Sequence, residues 1–215
     1  MQLELKDINK KEVLQYLLWR GGEIPPETDA LIDACIGEVL REIRASWTWT
    51  LCSRAQAPLP GRDLREMLKD CEDYILLAVT LGGEMDKKIR IAGARDMTRS
   101  LVLDACGSAA VEAACELAEQ ELLKQFPGKF LTDRFSPGYG DFPLEYQRTL
   151  IQTLQTQKRI GLTLTDTCMM LPRKSVTAVI GLASKAQKKR FRGCAYCSMF
   201  ERCEYRKAGK YCGRE

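Results

Sequence analysis

The sequence predicts an α+β domain with a mainly antiparallel sheet packed against helices, followed by a cysteine-rich tail that binds a metal. Strand-like segments are scattered between helices of uneven length, unlike the regular alternation of a doubly wound sheet. The 215 residues are 45% hydrophobic, which is enough for one real core. Near residue 184, strand-like sequence gives way to "KAQKKRFRG", so we expect a body over residues 1–184 and a basic tail over residues 185–215.

The first part of the chain contains two helical segments, a strand and a further short helix. Residues 10–20 predict a short helix that ends at the following Gly-Gly pair. Residues 27–45 follow two prolines, and their apolar side chains recur at helical spacing, which predicts an amphipathic helix. Residues 46–52, "SWTWTLC", alternate polar with apolar and are rich in β-formers, which predicts a strand. Residues 63–69 predict a short helix.

The middle of the chain combines an apolar run with a long helical pattern. Residues 73–83, "DYILLAVTLGG", fit a buried strand, although a core helix of this length would show the same continuous run of apolar residues. From about Asp86 to Gln125 the chain is rich in alanine and helical in period. Gly93 and Gly107 lie inside this pattern, so we expect the helix to break near each of them.

The last part of the body predicts one helix and three strands. Residues 144–161 have a helical pattern that ends at Gly161. Short segments rich in threonine and apolar residues follow, with Pro172 between the last two of them. The three predicted strands are residues 162–166, 167–171 and 174–182.

Composition excludes several classes of site. The chain has no histidine, so Ser-His-Asp and Cys-His mechanisms and any metal site that uses imidazole cannot be formed. No apolar run reaches the roughly 18 residues of a membrane span, and the start "MQLELKDINKKEVLQ" lacks a secretory signal. We therefore expect a cytoplasmic protein that is not bound to a membrane. In a reducing compartment its ten cysteines are buried hydrophobes or metal ligands.

One loop is too rich in special residues for an ordinary connector. Residues 134–143, "RFSPGYGDFP", hold an arginine, two prolines, two glycines and three aromatic residues. This loop, a spacer of helix length and then "GLTLTDTCMMLPRKSVTAVIGL" together resemble the reactivation domain of cobalamin-dependent methionine synthase, over about residues 130–182. The family motifs are Arg-x-x-Pro-Gly-Tyr and Leu-Thr-x-Ser-x-x-Met-x-Pro-x-x-Ser-Val. The residues at the motif positions are Arg134, Pro137, Gly138, Tyr139, Leu164, Thr165, Thr167, Met170, Pro172, Ser175 and Val176, with Thr167 in place of the motif's first serine.

The resemblance implies that the loop binds S-adenosylmethionine, with contacts from Arg134, Ser136, Pro137, Gly138 and Tyr139. A bidentate arginine suits the carboxylate of the methionine moiety, and an aromatic ring suits the sulfonium cation. In this family, a cobalamin that has been oxidised is reduced by one electron and methylated by S-adenosylmethionine. If the loop is considered alone, the competing interpretation is an ordinary turn in which Arg134 pairs with a nearby acid.

The sequence also departs from the full-length enzyme. Beyond Ser175 and Val176 the family's aromatic contacts to the ligand have no clear counterpart, because the chain continues into "ASKAQKKRFRGC". No histidine is present to ligate cobalt. The resemblance therefore implies action in trans on the cobalamin of a separate methionine synthase or corrinoid protein. A flavodoxin or ferredoxin is the expected electron donor, and whether the chain is itself an enzyme or an accessory component stays open.

The tail predicts a metal centre. Cys194, Cys197, Cys203 and Cys212 lie at C-x2-C-x5-C-x8-C spacing, and four thiolates within nineteen residues are typical of a metal site. Zinc in a Cys₄ knuckle and an iron–sulfur cluster are both compatible with this spacing. The cluster is favoured slightly, because reactivation needs a low-potential electron that a cluster could relay.

A binding module is the alternative function. A zinc knuckle in a basic tail could contact nucleic acid or a protein partner without catalysis. The tail carries ten Lys or Arg against three Glu, which leaves 33 − 10 = 23 basic and 29 − 3 = 26 acidic residues in the body. Because nucleic-acid binders usually spread a basic face across their fold, we expect no nucleic-acid partner.

Overall fold

The computed structural model of the chain describes residues 1–19 and 22–186, together with residues 201 and 207. Its strands are of two kinds, three long ones that form the centre of a sheet and four of two residues each. They are β1 (Gln2–Leu3), β2 (Ala45–Ser53), β3 (Cys71–Thr80), β4 (Phe130–Leu131), β5 (Thr163–Leu164), β6 (Met170–Leu171) and β7 (Ser175–Ala183).

The helices vary in length from one turn to eight. They are α1 (Lys10–Tyr16), α2 (Pro26–Glu42), α3 (Arg62–Met67), α4 (Gly83–Gly93), α5 (Met97–Gln125), α6 (Tyr146–Leu154) and α7 (Thr156–Ile160). Among the helices in the described part of the chain, none is long and apolar enough to cross a membrane.

The main sheet is antiparallel throughout and has the order β1-β2-β3-β7-β4. At its centre Leu77 of β3 pairs with Trp49 of β2 on one side and with Ala178 of β7 on the other. The strands β5 and β6 form a separate hairpin. The prediction of an α+β fold with a mainly antiparallel sheet is therefore confirmed.

Both faces of the sheet are covered, which explains the apolar run in β3. Ile75, Leu77 and Val79 point into a core that they share with α1, α2, α4 and α5. The alternate residues Tyr74, Leu76 and Ala78 point into a second core, which holds residues of α3, α6 and the loop that follows β4. A strand that is buried on both faces is apolar at nearly every position and therefore lacks polar–apolar alternation. The apolar run over residues 73–83 belongs to such a strand, and its alternative interpretation as a core helix is wrong.

Two predicted helix boundaries are wrong. No break occurs at Gly107, since α5 is continuous over Met97–Gln125. A Cβ atom on Gly107 would lie 3.2 Å from Lys174 Cε, so the glycine leaves room for that side chain rather than ending the helix. The predicted helix over residues 144–161 is divided at Gln155, which has a left-handed φ of 49° and separates α6 from α7. The break near Gly93 is confirmed, because the Asp96 side chain caps a new helix there.

The tail predictions concern residues outside those that the structure describes. Cys194, Cys197, Cys203 and Cys212 all belong to this part of the chain. The metal site and the boundary at residue 185 therefore stay predictions.

Candidate functional site

The loop over residues 134–143 is fixed to the sheet at its start and to the second core at its end. Phe135 forms an isolated bridge with Val179 of β7, with backbone hydrogen bonds of 2.9 and 2.8 Å. Phe142 is 1% exposed and lies in the second core. The amide of Gly138 donates to Phe142 O at 2.9 Å, and Gly138 has a φ of 92°, which favours glycine at this position. The segment between the two phenylalanines is therefore a tightly closed turn.

Asp141 holds the tip of the loop against α3. Its carboxylate accepts hydrogen bonds from the amides of Arg62 at 2.5 Å and Asp63 at 3.1 Å. These amides begin α3 and have no partner within the helix, so Asp141 caps a helix that lies 78 residues earlier in the chain. The hydrogen bonds from Arg62 and Asp63 lower the pKa of Asp141 below its usual value.

Arg134 reaches from the start of the loop to α5. Its Nη1 donates to Glu119 Oε1 at 2.5 Å and its Nη2 to Glu112 Oε2 at 2.7 Å. The side chain of Arg134 is only 14% exposed, while Glu112 is 36% and Glu119 is 22% exposed. The arginine therefore holds two carboxylates in this structure, as the competing interpretation of the loop proposed. The pairing also fixes the guanidinium at one place on the rim of the loop.

Two tyrosines lie beside this ion-pair cluster. Tyr139 at the tip of the loop is 66% exposed, and its ring centroid lies 6.4 Å from that of Phe135. Tyr16 of α1 is 48% exposed. Partial burial, followed by the nearby charges of Glu112 and Glu12, raises the pKa of Tyr16 to about 12, and the positive charge of Arg134 opposes this shift. The two rings thus present aromatic surface close to the charges of Arg134 and Glu112.

The loop residues named from the sequence differ in exposure. Pro137 is buried, Ser136 is half-buried, and Gly138 and Tyr139 are exposed. Pro137 therefore shapes the turn from inside, while the backbone of Gly138 and the ring of Tyr139 remain accessible to a ligand.

The second motif forms the β5–β6 hairpin and its connection to β7. Within the hairpin, Thr165 Oγ1 lies 3.0 Å from Thr167 Oγ1 and accepts from the amide of Met169 at 3.0 Å. Ser175 Oγ lies 2.7 Å from both Pro172 O and Thr80 Oγ1. These hydroxyls therefore stabilise the hairpin and the start of β7, which is a structural role for residues of the motif.

A second cation, Lys174, reaches the same helix from this connection. Lys174 Nζ lies 2.9 Å from Asp104 Oδ1 and 2.8 Å from Ser108 Oγ, and the side chain is 13% exposed. Four polar residues of α5 are spaced by about one or two helical turns and therefore lie on one face of the helix. They are Asp104, Ser108, Glu112 and Glu119. This polar face thus holds both cations, Lys174 toward its N-terminal end and Arg134 toward its C-terminal end.

Glu112, Glu119 and Tyr16 were not among the site residues predicted from the sequence. A signal was present in α5, where polar residues recur at one-turn and two-turn spacing along a helix that is otherwise rich in buried alanine. Nothing in the sequence, however, indicates which segment lies opposite that face.

Among the described residues, no group of three or more Cys, Asp or Glu side chains is arranged to hold a metal ion. The cysteines that the structure places in α2, β3 and α5 are buried; they are Cys35, Cys71, Cys106 and Cys115. Burial raises the pKa of the Cys115 thiol, which favours its neutral form.

Comparisons with known proteins agree with the fold and match a range of the chain that includes both motifs. The family model described as "Vitamin B12 dependent methionine synthase, activation domain" matches residues 64–195, more than half of the chain. A solved structure, described as the crystal structure of the MetH reactivation domain bound to AdoHcy, is similar with a TM-score of 0.58 and 14% sequence identity. That similarity covers 99% of this chain and 86% of the other. No curated protein matches. The chain belongs to the family of vitamin B12-dependent methionine synthase activation domains.

Proposed function

We propose that this chain binds S-adenosylmethionine between the loop over residues 134–143 and the polar face of α5. In this role it supports the reductive methylation of the cobalamin of a separate methionine synthase or corrinoid methyltransferase. The observation that supports the proposal most directly is the position of Arg134, the arginine of the family motif, which lies at the start of the loop with its guanidinium already held on carboxylates. The family match over residues 64–195 includes this loop and the second motif.

The charges of the site suit the charges of S-adenosylmethionine. The ligand carries one carboxylate, one ammonium and one sulfonium group, so its net charge is positive. Arg134, Glu112 and Glu119 together carry a net negative charge. The ligand carboxylate would replace one glutamate on Arg134, and the released glutamate would then accept the ligand ammonium group. Because Arg134 exchanges one carboxylate partner for another, the largely buried arginine is never left without a partner.

The two exposed rings suit the sulfonium. A cation that lies over an aromatic face is stabilised by about 0.5–2 kcal/mol. Tyr139 and Tyr16 are the accessible rings next to the charged cluster. The exposed backbone at Gly138 lets a ligand approach closely, since no Cβ atom intervenes. The transferred methyl group would then lie at the open side of the loop.

The cobalamin and the reducing electron would come from other proteins. Cobalamin held by its own protein would supply, after one-electron reduction, the cobalt acceptor for the methyl group of S-adenosylmethionine. The chain contains no histidine to coordinate that cobalt. A flavodoxin or ferredoxin would supply the electron, either directly or through a cluster held by the tail cysteines. What this chain contributes is the position of the methyl donor.

Calorimetric titration of the full chain with S-adenosylmethionine tests the proposal without the partner. We expect saturable binding with one ligand per chain, weaker binding of S-adenosylhomocysteine because it lacks the sulfonium charge, and loss of affinity in Tyr139→Ala. Tyr139→Phe keeps the ring and should bind nearly as well as the wild type. A folded protein that binds none of these ligands would refute the proposal.

A further inference from the structure

The corner where α4 ends and α5 begins carries exposed apolar side chains. Ile91, Met97 and Leu101 are 48%, 64% and 59% exposed. Residues 94–96, which join the two helices, are all exposed as well. Met97 and Leu101 are one turn apart and therefore lie on the same side of α5. We call Arg90, Ile91, Arg95, Met97 and Leu101 the corner surface.

The corner surface is basic. Residues 87–101 contain five Lys or Arg and a single acid, Asp96, whose carboxylate caps α5. Three of these cations are neutralised by glutamates of α2 and α4, in the ion pairs Lys87–Glu84, Lys88–Glu38, Lys88–Glu42 and Arg99–Glu38. Arg90 and Arg95 are exposed, and their side chains form no hydrogen bond or ion pair with any residue in 1–19 or 22–186. The corner therefore offers two unpaired arginines next to apolar side chains.

A concave feature adjoins these residues. A cavity of about 330 Å³ lies between α2, α4 and α5, and Ile91, Arg95 and Leu103 line it. The carboxylates of Glu38 and Asp96 also belong to its wall. The cavity can receive an apolar side chain, while the arginines at its edge stay available for ion pairs.

We propose that the corner surface docks an acidic protein partner, with an apolar side chain of that partner in the cavity and its carboxylates on Arg90 and Arg95. Methionine and arginine are enriched in protein–protein interfaces, and apolar anchors in pockets contribute most of the binding energy. Opposite charge on the partner would steer the encounter and exclude wrong partners.

Other occupants fit less well. Symmetric pairing of two copies would bring Arg90 and Arg95 against the same arginines, which is repulsive. A flat lipid surface cannot fill the cavity, and a nucleic-acid backbone has no apolar side chain to place in it.

The corner surface is remote from the candidate ligand site. Leu101 and Glu112 are eleven residues apart on α5, about 16 Å at 1.5 Å per residue. A partner at the corner would leave Arg134 and its loop accessible. The docking proposal is therefore independent of the proposed S-adenosylmethionine site, and either can fail without the other.

The test compares the full-length wild type with Arg90→Glu/Arg95→Glu, and with Arg65→Glu/Lys158→Glu as a matched control. The control replaces two exposed cations of α3 and α7, the helices associated with the other face of the sheet. Each immobilised protein is exposed to soluble extract from its own cells. Proteins retained by the wild type are identified by mass spectrometry, purified and titrated calorimetrically against all variants.

We expect an acidic protein that the wild type and the control retain and that the charge-reversed variant loses. The purified partner should bind at least about tenfold more weakly to Arg90→Glu/Arg95→Glu and to Met97→Ser/Leu101→Ser. Equal retention of every protein by all variants would overturn the proposal. So would charge-dependent binding to phosphatidylglycerol vesicles or single-stranded RNA, or self-association in sedimentation, with no protein partner affected.

Discussion

Arg134 and Lys174 reach the same face of α5 from different segments of the chain, and they are buried to the same extent. The exposed fractions of their side chains are 14% and 13%, and each holds a carboxylate of the helix. They differ in their surroundings, because Arg134 belongs to the same loop as the exposed ring of Tyr139, whereas Lys174 directly precedes β7. Substitution of Lys174 therefore serves as a control for substitution of Arg134. It shows how much the loss of a buried cation affects the fold alone, apart from any effect on ligand binding.

We predict that Arg134→Ala weakens S-adenosylmethionine binding by about 2–4 kcal/mol, because a charge-assisted pair with the ligand carboxylate is lost. Lys174→Ala should leave the affinity within about 0.5 kcal/mol of the wild type, although both variants lose thermal stability through unpaired acids. Calorimetry on samples whose circular dichroism matches the wild type measures the difference. Equal losses of affinity in the two variants would show that Arg134 acts only on the fold.

Sequence alone identified Arg134 but not its partners. The loop motif distinguishes this arginine because proline, glycine and tyrosine follow at fixed spacing. Glu112 and Glu119 belong to α5, and the face that α5 turns toward the loop depends on how its other side chains pack in the first core. That packing involves residues far from the loop in sequence. Such a long-range pairing has no local signal, so a site that depends on it could be predicted only in part.

At the scale of elements, the candidate loop depends on α3. Asp141 caps α3, and Gly61 and Gly140 lie where the two segments cross, each at positive φ. A Cβ atom on Gly61 would lie 2.8 Å from Asp141 Oδ1, so this close crossing requires glycine. The conformation of the loop is therefore set by contacts with a helix, in addition to its own sequence.

We predict that Asp141→Asn lowers the melting temperature by a few degrees at neutral pH and also weakens S-adenosylmethionine binding, because one of the two accepting oxygens is lost. The pKa of Asp141 is lowered on folding, so its contribution to stability is present above the unfolded value of about 3.9. That contribution is lost as the pH falls through the lower folded value. The difference in melting temperature between wild type and variant should shrink over this acidic range. A difference that is independent of pH would contradict the capping role.

Elements with a strong local pattern were predicted well, and those fixed by tertiary contacts were not. The amphipathic pattern of α2 and the β-branched residues of β7 identify their structures directly. The two-residue strands β1 and β4 have no pattern of their own and exist because long strands beside them offer unpaired backbone groups. Gln155 breaks the helix after α6 although its residue type favours helix, so packing overrides propensity there.

Gly181 provides a prediction about packing between elements. A Cβ atom here would lie 2.7 Å from Cys71 Sγ and Leu68 Cδ2 and 2.8 Å from Thr132 Cγ2. We expect Gly181→Ala to destabilise the protein by about 1–3 kcal/mol, because three elements must move apart. Gly83→Ala is the control, since nothing lies within 4 Å of the added Cβ atom. Urea unfolding measures both, and similar midpoints for the two variants would contradict this account.

At the scale of the whole molecule, the part of the chain that the structure describes contains two cores. Their buried residues run from Leu3 to Ala183 and cover both faces of one sheet. The tail beyond residue 185 is predicted to have little core of its own, and its structure would then depend on the metal that its cysteines bind. Body and tail are therefore expected to respond differently to loss of the metal.

We predict that the protein purified without oxygen is brown, absorbs broadly near 400 nm, and loses this colour on reduction or in air, because four tail thiolates hold an iron–sulfur cluster. A colourless protein with one zinc per chain, measured by elemental analysis, would exclude an electron relay through the tail and leave the S-adenosylmethionine proposal untouched.

Cys197→Ser should abolish reactivation of the partner cobalamin and spare ligand binding, since the loop lies within the body. Cys35→Ser is the control, because Cys35 is buried in the first core and should affect stability without changing the colour. If the metal only stabilises the tail, Cys197→Ser should instead increase proteolysis beyond residue 185 while reactivation with a chemical reductant continues.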